Sequence, residues 1–196
     1  MNTIPDLESA THQVTRLVAG VTDEQLAAPT PCRDYAVRDL LAHFIGLTAA
    51  FRDAAKKQLG PTTDTDPRAA GLALDDDWRS RLPAQLDELV AAWRSPEAWE
   101  GMTQAGGVAL PGPIAGRVAL NEVVLHGWDL ARATGQPYDV DPASLRSSYE
   151  LLAPSGVAPS GGEMFGPPVP VPADAPLVDR VVALSGRSPS WSPPAE

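Results

Sequence analysis

The sequence has little of what usually advertises a function. Its 196 residues include one cysteine, Cys32, and three histidines, His12, His43 and His126. A single thiol excludes an intramolecular disulfide and every zinc site built from several cysteines. Basic residues are scarce, with 15 Lys and Arg against 25 Asp and Glu, for a net charge of −10. Such a surface repels a phosphate backbone. No basic run or interleaved aromatic platform offsets it, so no nucleic-acid partner is expected. No apolar stretch approaches the roughly 20 residues that span a bilayer. No basic N-terminus leads into an apolar segment, so no signal peptide is expected. The default expectation is a cytoplasmic protein with no membrane partner, and internal repeats are lacking.

What is present is an ordinary globular composition, 43% hydrophobic and 20% charged, in a length that suits one sizeable core. Apolar positions recur at helical spacing along most of it. Leu7, Ala10, Val14, Leu17 and Val18 predict a helix from Pro5 to Val21, with Pro5 in its first turn and Gly20 at its end. A short helix follows from Thr22, which has capping-box spacing to Gln25. Val37, Leu40, Leu41, Phe44, Ile45, Leu47 and Phe51 predict a second main helix from about Ala36 to Leu59, capped by Asp34. A third runs from about Asp76 to Arg94, either kinked at Pro83 or starting near it. A fourth spans Pro113 to Thr134, closed by Gly135, and a fifth starts at Asp141-Pro142 and ends near Ala153. Residues 60–75 read as a loop or partly helical linker. Residues 95–112 read as non-helical, with a short extended pair around Met102 to Leu110. Beyond 154 the chain is rich in Pro and Gly, with one last helix from Ala175 to Ser185 and a frayed tail from Arg187. The expected fold is all-α, a four-helix bundle with additions.

Two histidines and one glutamate stand out. Glu122 and His126 are four residues apart in the fourth helix and so share a face. Val123, Val124, Leu125 and Trp128 make that helix apolar nearly all round, where a carboxylate is costly to bury unless paired or coordinated. His43 lies in a similar setting among Leu40, Leu41, Phe44 and Ile45. One divalent cation would account for all three, since two neutral imidazoles and a carboxylate form a donor set of catalytic zinc sites. The alternative is a Glu–His hydrogen bond inside a core, with His43 bonded to backbone. Asp129, three residues after His126, reads as a helix-end carboxylate, with a ligand-orienting role as the other option. Arg132 and Arg81 read as solvated, with anion binding as the other option. His12 reads as a surface residue and Trp128 as core. Cys32 reads as an inert thiol, too far along the chain before His43 to share an ion with it.

The segments Thr30-Pro31-Cys32-Arg33-Asp34-Tyr35-Ala36-Val37-Arg38-Asp39-Leu40-Leu41-Ala42-His43 and Asn121-Glu122-Val123-Val124-Leu125-His126-Gly127-Trp128-Asp129-Leu130-Ala131-Arg132-Ala133-Thr134-Gly135 resemble the two signature blocks of the DinB-like metal-binding proteins. The nearer likeness is to the actinobacterial branch related to mycothiol-dependent maleylpyruvate isomerase. The resemblance implies a DinB-like four-helix bundle with a long crossover over residues 1–153. It leaves 154–196 as a Pro/Gly-rich extension whose short helix packs on the bundle. It implies metal ligands His43, Glu122 and His126, with Glu in the middle position as in the isomerase-like branch. Zinc is the metal it implies first, with nickel as the alternative. The partners it implies are a mycothiol-type thiol cosubstrate and an electrophile, in S-transfer or thiol-assisted isomerisation. A metal-dependent hydrolase and a non-enzymatic metal-binding or stress-response protein are the competing readings. A homodimer is expected on base rates, and Trp78, Trp93, Trp99 and Trp191 read first as core, with an interface as the other option.

Overall fold

Local hydrogen bonding decides where each helix of this chain begins and ends, and this is visible in a computed structural model describing residues 4–66, 73–153 and 166–194. Helix α1 spans Glu8–Gly20. It starts after Pro5 because the Asp6 carboxylate accepts the Glu8 N–H at 3.0 Å, which leaves the proline ahead of the first turn. Helix α2 spans Val37–Ala55. Asp39, not Asp34, serves its N-terminus, accepting the Ala36 N–H at 3.0 Å.

The end of α2 comes four residues before the expected Leu59. Lys57 adopts φ 56°, the left-handed conformation. The Gln58 N–H returns to Asp53 O at 2.9 Å and the Lys57 N–H to Ala54 O at 3.2 Å. This is a Schellman closure with lysine in the position glycine usually takes, a signal that residue type alone does not carry. Helix α4, Trp78–Trp93, runs through Pro83 without starting there. Helix α5, Gly112–Thr134, closes on Gly135 at φ 69°. Helix α6, Pro142–Leu152, is capped by Asp141, whose carboxylate accepts the Ala143 and Ser144 N–H groups, each at 2.9 Å. Helix α7 spans Leu177–Leu184, and a single turn, α3, covers Pro61–Asp64.

The extended pair is a hairpin of β1, Met102–Ala105, and β2, Val108–Pro111, in antiparallel register with Ala105 opposite Val108. Gly106 and Gly107, at φ 58° and 77°, make the two-residue turn whose twist suits such a hairpin. The expected linker over 67–72 and the first part of the Pro/Gly-rich stretch, 154–165, lie outside the described residues.

Helix α2 packs against α4 and α5, and α1 packs against the same two. Their apolar faces meet in one core, where Val14, Leu40, Phe44, Leu86, Leu89 and Leu120 are shut off from solvent. Helix α6 covers α5, and α7 packs on α6. Trp78, Trp93 and Trp99 are buried within the chain, as the core reading expects. No described helix is long and apolar enough to cross a membrane.

One close approach shows how tightly α5 is held. The Trp99 indole donates to Trp93 O at 2.7 Å and meets the Trp93 ring edge-on at 5.0 Å. Both rings lie over Gly116, where a Cβ would come within 2.5 Å of Trp99 and 2.8 Å of Trp93. Alanine is favoured over glycine in a helix by about 1 kcal/mol, but forcing extra volume into a packed core costs about 1–3 kcal/mol. Gly116→Ala is therefore expected to lower the melting temperature by several degrees in a calorimetric scan, against the direction of helix propensity.

Candidate metal centre

The site is built from two helices that face each other. His43 lies in the second turn of α2, and Glu122 and His126 lie in the middle of α5, one turn apart. Because α2 and α5 pack together, the three side chains converge. Glu122 Oε2 lies 3.2 Å from His126 Nε2 and 3.8 Å from His43 Nε2. The two imidazoles meet edge to face with centroids 4.8 Å apart. Phe44 supports the His126 ring at 6.0 Å, and Tyr35 supports the His43 ring at 5.3 Å. The side chains retain 9%, 14% and 8% exposure for His43, Glu122 and His126, so the cluster is nearly enclosed. One ligand atom from each of the three can be chosen so that all lie within 4.8 Å of one another.

A further shell of contacts holds His126. Its Nδ1 lies 2.9 Å from Asp129 Oδ2. Asp129 is fully buried, which overturns its reading as a helix-end carboxylate. Arg187 forks onto it, Nε to Oδ1 at 2.7 Å and Nη2 to Oδ2 at 2.8 Å. Arg187 belongs to the tail expected to be frayed, yet its side chain is only 11% exposed. Sequence reasoning missed it because an isolated arginine in a polar, Pro-rich stretch carries no pattern, and its partner is 58 residues away. Arg132 is not simply solvated either, since its guanidinium donates to Trp191 O, with Nε at 3.1 Å. Arg81 is half-exposed and pairs with Asp75 at 2.7 Å. His12 is exposed and Trp128 is core, as expected.

The electrostatics follow from burial and pairing. Burial works against the Glu122 carboxylate, but the adjacent His126 and His43 imidazoles outweigh it and hold the carboxyl far below its ordinary range. Burial pushes His43 down, and the nearby Glu122 carboxylate only partly offsets this. Burial pushes His126 down as well, but its hydrogen bond to Asp129 and its contact with the Glu122 carboxylate overcome this and raise it. Asp129 is held low against burial by the Arg187 charge and by the bonds from His126 and Arg187. Cys32 is half-buried and groups with His126 and Asp129, one ligand atom from each lying within 4.8 Å of the others. Burial first, and then the Asp129 charge, push its thiol up to about 11.

Comparison with known proteins fits this arrangement. The family described as the mycothiol maleylpyruvate isomerase N-terminal domain matches residues 7–131, a span that includes His43, Glu122, His126 and Asp129 but not Arg187. Two proteins of Mycobacterium tuberculosis are each 32% identical over 187 residues, covering 88% of this chain and 90% of theirs. They are the uncharacterized proteins MT0763 (strain CDC 1551 / Oshkosh) and Rv0738 (strain ATCC 25618 / H37Rv). The crystal structure of the mycothiol-dependent maleylpyruvate isomerase, and that of a point mutant of it, match with a TM-score of 0.56 at 20% identity over 74% of this chain. That likeness speaks for the fold alone, and this chain spans 66% of the isomerase's length. With more than half its length matched by the family, the chain belongs to the mycothiol maleylpyruvate isomerase N-terminal domain family.

Proposed function

We propose that this chain is a metal-dependent enzyme acting with a low-molecular-weight thiol of the mycothiol class, built on a DinB-like bundle of α1, α2, α4 and α5. One divalent ion would be held by His43 Nε2, Glu122 Oε2 and His126 Nε2. The observation that carries this reading is the spacing of the three donors. Ligand atoms about 2.0–2.1 Å from a tetrahedral ion lie roughly 3.3–3.4 Å from one another. Two of the separations, 3.2 and 3.8 Å, bracket that edge. The donor set of two imidazoles and one carboxylate favours zinc, with nickel as the alternative.

When bound, the ion would offer an open position to the thiol and lower its pKa, favouring the nucleophilic thiolate. The protein's own part is to hold the donors and to limit water. Burial keeps His43 neutral, the form that ligates. The Asp129 contact at Nδ1 leaves His126 Nε2 turned toward Glu122. Near-complete burial of the cluster lowers the local dielectric and strengthens every charge interaction in it. The substrate is then an electrophile that accepts the thiol, in net S-transfer or in cis–trans isomerisation through a transient adduct. Family membership points to the thiol class.

Purified protein is expected to carry close to one metal equivalent by plasma mass spectrometry. His126→Ala and Glu122→Gln are each expected to lose most of it while keeping helical circular dichroism. Wild type without stoichiometric metal, even after incubation with zinc or nickel, would sink the reading. With a panel of electrophiles, metal-loaded protein is expected to consume mycothiol, and chelation is expected to stop it. Metal binding without any thiol turnover would leave a metal-binding protein and refute the enzyme.

Acid is expected to oppose metal binding in a defined direction. Asp129 and Glu122 hold His126 above its ordinary range, so a proton competes with the ion for this nitrogen up to higher pH than at a free imidazole. Zinc affinity, measured by chelator competition, is therefore expected to rise with pH through the neutral range. Calorimetry in buffers of different ionisation enthalpy is expected to show proton release on binding. A pH-independent affinity would refute this account of His126.

A further inference from the structure

The family match ends at residue 131, yet the chain beyond it returns to the metal centre. Helix α7 packs on α6, and Val169 N–H bonds to Ala183 O at 2.9 Å. Past α7 the chain turns at Gly186, with φ 82°. Arg187 is then delivered against Asp129, and Trp191 O meets the Arg132 guanidinium. The C-terminal segment therefore touches α5 at two places, one of them a single hydrogen bond removed from His126.

The chemistry at the first place is demanding. Asp129 has no exposure at all. A buried carboxylate without a counter-charge is strongly destabilising, and a forked guanidinium is the partner that neutralises it with fixed geometry. Arg187 is itself fixed, with Nη1 donating to Ser185 Oγ at 3.1 Å. With Oδ1 and Oδ2 both bound by Arg187, the carboxylate plane has one orientation. In that orientation Oδ2 also meets His126 Nδ1 at 2.9 Å. Partners of this kind set the tautomer and ring angle of a ligating histidine.

We propose that Arg187 is a positioning residue of the metal centre, acting through Asp129 on His126, so that metal binding and docking of the C-terminal segment are coupled. The inference rests on the metal reading above and adds to it a residue that lies outside the family's matched span. Linkage makes the coupling reciprocal. A docked segment orients His126 for the ion, and a bound ion stabilises the docked segment by the same factor.

The test uses the full chain and zinc alone. Zinc affinity is measured by chelator competition for wild type, Arg187→Met, Arg187→Lys, Asp129→Asn and the Arg187→Met/Asp129→Asn double variant, with circular dichroism as the check on folding. Loss of an outer partner of a ligating histidine typically costs about 10–100-fold in metal affinity. Arg187→Met and Asp129→Asn are each expected to fall in that range. The double variant is expected to bind about as weakly as the worse single, because both act on one path. Arg187→Lys, which keeps the charge but not the fork, is expected to recover part of the loss.

Two readouts separate positioning from general destabilisation. The visible absorption of cobalt-loaded protein is expected to change in Arg187→Met, reporting altered ligand geometry. Backbone hydrogen exchange over 177–191 is expected to slow on zinc addition in wild type and to be insensitive to zinc in Arg187→Met. Wild-type affinity and cobalt spectrum in a folded Arg187→Met would overturn the inference while leaving the metal reading intact. Multiplying losses in the double variant would overturn it equally. Should Arg187→Met fail to fold, Arg187→Lys decides. Reduced affinity with a shifted cobalt spectrum supports the inference, and wild-type values overturn it. Wild type that binds no zinc overturns both.

Discussion

Two carboxylates face inward from one helix, and the architecture around them follows from the need to compensate their charge. Glu122 and Asp129 lie about two turns apart on α5, within a core of leucine, valine and aromatic side chains. Removing a carboxylate from water costs several kcal/mol even after relaxation, of order 20 in the idealised limit. Asp129 is answered completely, by the Arg187 fork and by His126. Glu122 is answered only by two imidazoles, and burial discourages one of them, His43, from taking a proton. The pair of carboxylates thus has one permanent cation and one shared imidazolium. A divalent ion at Glu122, as proposed above, would take the place of that imidazolium proton. It would leave one net positive charge over the centre, which an anionic sulfur ligand would cancel.

The helices make this arrangement rigid. The 3.6-residue period sets Glu122, His126 and Asp129 along one side of α5, and the packing of α2 on α5 brings His43 to the same point. Gly116, under the Trp93 and Trp99 rings, lets α5 sit close to the segment after α4. The Tyr138 hydroxyl donates to Val124 O at 2.5 Å, between the two ligand turns of α5, and ties the following loop to them. Each contact reduces the freedom with which Glu122 and His126 could drift apart, and the proposed metal site would need positions held to within a few tenths of an ångström.

What was legible in the sequence divides along local and long-range lines. Helix positions were legible because each is written in the apolar period of its own segment, and the ends of α5 and α6 were marked by Gly135 and Asp141. The end of α2 was not, because a lysine at φ 56° does the work normally flagged by glycine. Glu122 and His126 were legible from spacing, and His43 from its apolar surroundings, but their convergence depends on how α2 meets α5. Asp129 was misread since the partner that meets it in the interior, Arg187, comes from the far C-terminal tail, which its neighbours in sequence do not announce. Arg187 was invisible for the same reason. A residue whose meaning is a partner 58 positions away leaves no periodic trace.

Cys32 closes the argument about which sulfur could react at this centre. It is the chain's only thiol, and it groups with His126 and Asp129, sharing His126 with the His43–Glu122–His126 set. Burial and then the Asp129 charge raise it to about 11, so at neutral pH it is a protonated thiol. The thiolate is the nucleophilic form, and a thiol held that high has almost none of it. Burial, with the Asp129 charge added to it, therefore keeps the resident sulfur protonated. Under the proposed function the reacting sulfur would therefore belong to a thiol from solution and not to Cys32.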